Sequence, residues 1–257
     1  MAHAVLQAPY PVPRNPASDE LFIAAVRQEF PNIMSRQVLP AEAPSQIPHL
    51  TMGGTSSQLA LSAAQADFEV RFYGSYLADI EQGLEYVERK VQQVLAGYQA
   101  IDVVPSMIGL VATFHFARNE AENAVEHVLK TQLKTELPPE GVQDAQVKLA
   151  LKVRETYFAG LTLNNYELRK FERPIMPGIT ELRIRPWEGR VDETGLELVL
   201  DINNNLEART KQADPEVTSE GVGAVVSLLR EIATRVGPEF AETGSLSLER
   251  LEAGSRS

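Results

Sequence analysis

Phe68, Val70 and Phe72 alternate with Asp67, Glu69 and Arg71, so an extended segment here has one apolar and one charged face. A half-buried strand is predicted. Ser75 then stands as an N-cap before Leu77, Ile80, Leu84, Val87, Val91, Val94 and Tyr98, whose spacings of three and four draw one apolar stripe down a helix ending near Gly97. Such a stripe packs on a sheet, or, as the alternative, forms a coiled-coil seam. Ile108, Leu110, Ala112, Phe114 and Phe116 restore the two-residue period, predicting a second strand. Asn119 with Glu122 resembles a capping box ahead of the helical pattern Ala121, Val125, Val128, Leu129 and Leu133, which Pro138, Pro139 and Gly141 stop. Later strands are predicted at Val147–Val153, at Leu161 and Leu163 before an Asn164-Asn165 turn, at Leu182–Ile184, and at Leu196–Ile202. A last helix is expected from Thr218 to Val236, closed by Gly237 and Pro238.

Punctuation sets the domain plan. Pro9, Pro11, Pro13 and Pro16 read residues 1–16 as an extended arm, and Leu21–Phe30 as a first strand or short helix. Pro31–Ser57, with Pro40, Pro44, Pro48, Gly53 and Gly54, reads as a long loop. Strands run in hairpin-like groups between single helices, so the fold class is α+β with mainly antiparallel sheets. The division is a first lobe over 17–118, a second over 119–244, each with a sheet packed by one or two long helices, and a polar tail over 245–257. Both lobes hold strands and helices in similar order without a residue-level repeat, which raises the idea of duplication.

Composition narrows the compartment. The chain has 257 residues and no cysteine, so disulfides and thiolate sites are absent by inventory. The first residues lack a basic-then-apolar signal, and no run is long and apolar enough to span a membrane. A cytoplasmic protein without membrane contact is expected. The net charge of −11 is spread over amphipathic segments. No Lys/Arg cluster offers itself to a polyanion, so nucleic acid is not the expected partner and a basic protein is.

Motifs that carry chemistry fail at their decisive positions. Asp201, Asn203 and Asn205 begin like a calcium loop, but Leu206 stands where the turn needs glycine and Gln212 where a bidentate glutamate belongs. Gly221 and Gly223 fall inside a helical pattern, which removes a dinucleotide fingerprint. Gly53–Ser57 has the small residues of a phosphate loop without its lysine. Glu88 and Lys90 supply half of a nuclease-like triad, on what reads as the solvent side of the long helix. His115, between Phe114 and Phe116, is the histidine whose surroundings most invite a shifted pKa. No cofactor and no metal are expected. The candidate partner-binding residues are Glu81, Glu85 and Glu88 on the long helix, and Trp187, an aromatic between Arg185 and Arg190 suited to anchoring an interface.

Phe68-Glu69-Val70, the helix from Tyr76, Ile108-Gly109-Leu110, and Leu198-Val199-Leu200-Asp201-Ile202 before the closing helix with Phe240 follow one another in an order that resembles a sporadically distributed bacterial family of α+β proteins of about this length. The resemblance spans roughly Leu21 to Gly244. The family continues Arg-Tyr-Ile-Asn after Gly-Leu, whereas Val111, Ala112, Thr113 and Phe114 follow here, and no residue role carries over. The patchy distribution implies mobile genes, and through them antitoxin, immunity or antiviral defence roles. The expected function is a non-catalytic protein-binding module, with self-association left open. The alternative is a ligand-binding or enzymatic domain whose site lies between the lobes and uses Pro31–Ser57.

Overall fold

The computed structural model describes residues 1–40, 42–73, 79–118, 124–134, 142, 144–154, 156–170, 189–205 and 216–245. Among the described residues nine strands form one antiparallel sheet: β1 (Ala2–Gln7), β2 (Asn32–Arg36), β3 (Leu50–Gly54), β4 (Ser57–Leu61), β5 (Gln65–Val70), β6 (Met107–Arg118), β7 (Gln146–Val153), β8 (Tyr157–Lys170) and β9 (Arg190–Asn203). Their order across the sheet is β2-β3-β4-β5-β1-β6-β9-β8-β7. The fold is therefore α+β, as the strand grouping predicts, but the two expected sheets are one. The join is the β1·β6 pair, with Ala4 opposite Leu110.

From that join the first half runs outward as β1-β5-β4-β3-β2 and the second as β6-β9-β8-β7. Each half starts with its central strand, passes through a helix, returns through a meander to pair with that strand, and ends in a long helix. The topology thus repeats where the residues do not. Among the described residues, the first half has α1 (Pro16–Val26) and α2 (Ile80–Ala100). The second half has α3 (Ala124–His127), running into a π-helical turn at Val128–Gln132, and α4 (Ser219–Glu231). A second π turn (Ile232–Val236) leads from α4 to α5 (Gly237–Thr243).

Alternation along the strands decides which face the helices cover. Ala2, Ala4 and Leu6, then Ala66, Phe68 and Val70, and on β9 Leu196, Leu198, Leu200 and Ile202 are buried beneath them. Buried aliphatics of this size stabilise by about 1.5–3 kcal/mol each. α2 lies at the centre. Asp79 caps it by accepting from the Gln82 N–H at 3.1 Å, and its stripe of Leu84, Val87, Val91, Val94 and Tyr98 is buried, so it packs within this chain. The Tyr98 hydroxyl donates to the Leu6 carbonyl at 3.0 Å, fastening the helix to β1. Gly97 permits close contact with α1, since a Cβ there would come within 2.7 Å of Phe22 and Val26.

Several expectations change. Leu21–Phe30 is mostly helical, because Asn15 accepts from the Ser18 N–H and Pro16 opens the first turn. The arm contributes the central strand β1, and the loop over Pro31–Ser57 contains β2 and β3. Asn164 and Asn165 lie inside β8 and turn nothing: one donates to Glu197, the other accepts from the Ala145 N–H. Helical structure continues past Gly237 and Pro238 and stops at Gly244, whose φ of 71° is the left-handed geometry glycine tolerates. The Asn119–Glu122 capping box, the Pro138–Gly141 stop and the strand at Leu182–Ile184 fall outside the described residues, as does Leu206–Gln212.

Candidate functional site

The other face of the sheet carries the odd-numbered side chains of β1, β5 and β6, with their neighbours on β9 and the even-numbered ones on β8. At its centre stand His3, Val5, Val111, Thr113 and Val199, half-buried by one another. On either side of them lie carboxylates, Asp67 and Glu69 on β5 and Glu193, Glu197 and Asp201 on β9. Lys148 and Lys152 sit on β7, at the far edge. Asp67, 3.5 Å from His3, raises that histidine's pKa by hydrogen bonding, ahead of the opposing effect of burial.

His115 Nε2 is 3.1 Å from Glu197 Oε2, and its ring stacks on Tyr166 at a centroid distance of 4.3 Å. Tyr166 donates to Glu193, and desolvation followed by that carboxylate pushes the phenol pKa upward. Gly195 makes the stack possible: a Cβ there would meet the Phe116 carbonyl oxygen at 2.2 Å and the Tyr166 ring at 2.8 Å. His115 is thus exposed beside a carboxylate, and its flanking Phe114 and Phe116 point to the helix side.

Strand lengths create a second feature. β6 has 12 residues and β1 has 6, and β1 covers β6 only as far as Ala112 in the ladder. Met1 extends the pairing by one rung, accepting from the Thr113 N–H at 2.9 Å. Beyond that rung, among the described residues, β6 has a neighbour only in β9. The gap opens onto a cavity of about 490 Å³ lined by Phe72, Ile80, Leu84, Phe114 and Phe116, with His115 and Glu197 at its mouth. It lies where the two halves join, the place expected for an inter-lobe site. Pro31–Ser57 contributes none of its lining residues, and the lining is apolar instead of convergently polar.

A buried polar cluster sits at the opposite end of the first half. His49 is 1% exposed, with Nε2 3.3 Å from Asp19 Oδ1, while Arg36 donates to Asp19 Oδ2 at 2.9 Å. Burial lowers the His49 pKa, against the pull of Asp19 and with help from the Arg14 charge. The cluster joins α1 to the entry of β3. A histidine neutral in the fold but protonated when unfolded costs stability as pH falls through its unfolded value of about 6.5. Urea titrations should show the wild type losing roughly 1 kcal/mol more than His49→Gln between about pH 7.5 and about pH 5.5. Equal slopes in the two proteins would contradict this, and His3, present in both, cancels.

Of the predicted partner-binding residues, Glu81, Glu85 and Glu88 all lie on α2. Glu81 and Glu85 are exposed on α2, but Glu81 is 2.7 Å and Glu88 3.8 Å from the guanidinium of Arg230 on α4, which supplies a cation from within the chain. Trp187 lies outside the described residues. Lys90 is corrected outright. It is 1% exposed, donates to the Glu29 carbonyl, lies 3.1 Å from Glu29 Oε2, and sits over the rings of Phe30 and Tyr86 at 4.4 and 5.0 Å. Gly53 and Gly54 end β3, and a Cβ on Gly54 would strike the Glu29 carbonyl at 2.3 Å, so these glycines serve packing. Gly221 and Gly223 are within α4, and Asp201 accepts from Asn203 on β9. Among the described residues no group of three or more His, Asp or Glu is arranged to hold a metal ion, and no helix is long and apolar enough to cross a membrane.

No family model matches the chain, and no curated protein matches it.

Proposed function

We propose that the chain is a protein-binding module and that its recognition surface is the acidic face of the sheet, which takes a basic segment of a partner protein. The observation that carries this is that Asp67 and Glu69 on β5 and Glu197 and Asp201 on β9 lie on one face of the sheet, on either side of β1 and β6, on side chains the helices do not cover. Charges held on rigid strands keep their spacing without an ordering cost at association. Carboxylates of one sign also steer a cationic partner and slow its loss of orientation during encounter. Each surface also holds a cation of its own: Arg230 lies beside Glu81 and Glu88, and Arg71 is 2.7 Å from Glu69. An antitoxin or immunity component, the role the family resemblance implies, would use such a face against a basic effector.

The test starts by panning a displayed library of host protein fragments on the purified protein. A selected segment should carry net positive charge. Its on-rate should fall about tenfold or more when Asp67→Asn, Glu69→Gln and Asp201→Asn are combined, and fall steeply with salt in the wild type only. Selected segments without basic character, or a triple variant with unchanged association, would refute the proposal.

A further inference from the structure

We infer that the acidic face takes the partner's basic segment as an amphipathic α-helix, which lies along β1 and β6 with its apolar side on the sheet and its Lys and Arg residues reaching the carboxylates on both flanks. This deepens the protein-binding proposal and rests on it. Each residue of β1 from Ala2 to Gln7 is paired with β5 on one side and β6 on the other, and β6 from Gly109 to Ala112 is paired with β1 and β9. Their backbone groups are used within the sheet, so the face presents side chains alone. An extended segment laid there would leave its own N–H and C=O groups unpaired over an apolar floor, whereas a helix satisfies them internally.

Dimensions and charge agree with a helix. With β1 and β6 between them, β5 and β9 lie three strand spacings apart, about 14 Å, and a helix with its side chains is about 10–12 Å across. The floor holds Val5 and Val111, half-buried, with Thr113 and Val199 beyond them. Asp67 and Glu69 stand on one flank, Glu197 and Asp201 on the other. Arg71 beside Glu69, His3 beside Asp67 and His115 beside Glu197 offset part of this charge, while Asp201 is exposed and accepts from the Asn203 amide. Cations on both sides of one apolar stripe complement such a surface.

Gly109 is an independent sign of an occupant. It stands within β6, between Val5 and Asn203, where glycine weakens a strand and marks the close approach of another group. Among the described residues the nearest atom to a Cβ placed there would be the Asn203 Cβ at 3.8 Å, an ordinary contact, whereas a Cβ on Gly54 or Gly195 would strike backbone. Packing within the described chain therefore does not require this glycine. The dip it leaves beside Val5 and Val111 admits a large apolar side chain of the helix.

The probes are capped peptides of about 15 residues, roughly four helical turns. One sets Leu at helical spacing between flanks of Lys and Arg, a second alternates the same residues as in a strand, a third scrambles them, and a fourth places proline mid-helix. The helical peptide should bind about tenfold or more tightly than the other three and gain helical circular dichroism as it saturates. Gly109→Val should weaken it about tenfold while the melting curve stays close to the wild type's, because valine suits a strand and its Cβ has room. Val5→Thr with Val111→Thr, which keeps the shape of the floor and removes its apolar character, should weaken it similarly. Absence of binding by the helical peptide, equal binding by the alternating or scrambled peptide, binding without gain of helicity, or indifference to both floor variants would each overturn the inference. If all four peptides bound alike and all were lost on combining Asp67→Asn, Glu69→Gln and Asp201→Asn, the helix would be refuted and the protein-binding proposal would stand. Peptides indifferent to that combined variant would overturn both.

Discussion

Val91→Asp is expected to abolish cooperative folding. Val91 is fully buried on α2 between the sheet and the flanking helices. A carboxylate placed there has no partner, and in practice it protonates or forces water inward, at a cost of several kcal/mol. The whole stability of a domain is about 5–15 kcal/mol. Circular dichroism with urea should show no cooperative transition, or one shifted to very low denaturant. A well-folded Val91→Asp protein whose only change is its oligomeric state would show that the stripe is an exposed seam between copies, contrary to the packing described.

Lys90→Ala comes next in size, with an expected loss of about 3–5 kcal/mol. The ammonium is held by the Glu29 carbonyl and carboxylate and lies over two aromatic rings. Removing it leaves Glu29, whose side chain is 11% exposed, with only the more exposed Arg89 at 2.7 Å. It also leaves a cavity beside Phe30 and Tyr86. Lys90→Met with Glu29→Gln should recover much of the loss, because it removes both charges and keeps most of the volume. The check is a urea-unfolding double-mutant cycle. A loss below about 0.5 kcal/mol for Lys90→Ala, the range of ordinary surface positions, would contradict the burial.

Lys90 also shows where the sequence was readable and was misread. It lies four residues from Tyr86 and four from Val94, on the flank of the apolar stripe of α2, where its charge argued for solvent. Periodicity placed it correctly and residue type did not. The same holds at the N-terminus. Ala2, Ala4 and Leu6 alternate with His3, Val5 and Gln7, a strand signal that the prolines from Pro9 onward overshadowed. The Asn15-Pro16 start of α1 was likewise present as a capping signal.

Strong two-residue alternation made β5, β6, β7 and β9 legible, and the stripe made α2 legible. The fusion of both halves into one sheet was not, because it depends on β1 pairing with β6 across about a hundred residues of chain, which no local period encodes. The acidic face followed from alternation only once β5, β1, β6 and β9 were known to be neighbours. Glu81, Glu85 and Glu88 were placed correctly on a helix surface, but Arg230 could not be foreseen beside two of them.

The central claim, that a basic protein segment is held on the acidic face, is tested most directly by capture from the native host with two baits. One bait is the wild-type protein and the other carries Asp67→Asn, Glu69→Gln and Asp201→Asn, with identical melting curves required of both. Quantitative mass spectrometry should find a protein with a basic segment at roughly stoichiometric yield on the wild type and depleted about tenfold or more on the variant. Reconstituted from purified components, that pair should cross-link through the basic segment to β5, β6 or β9. A partner recovered equally on both baits, or a purified wild-type protein carrying a stoichiometric small molecule and no protein, would contradict the account.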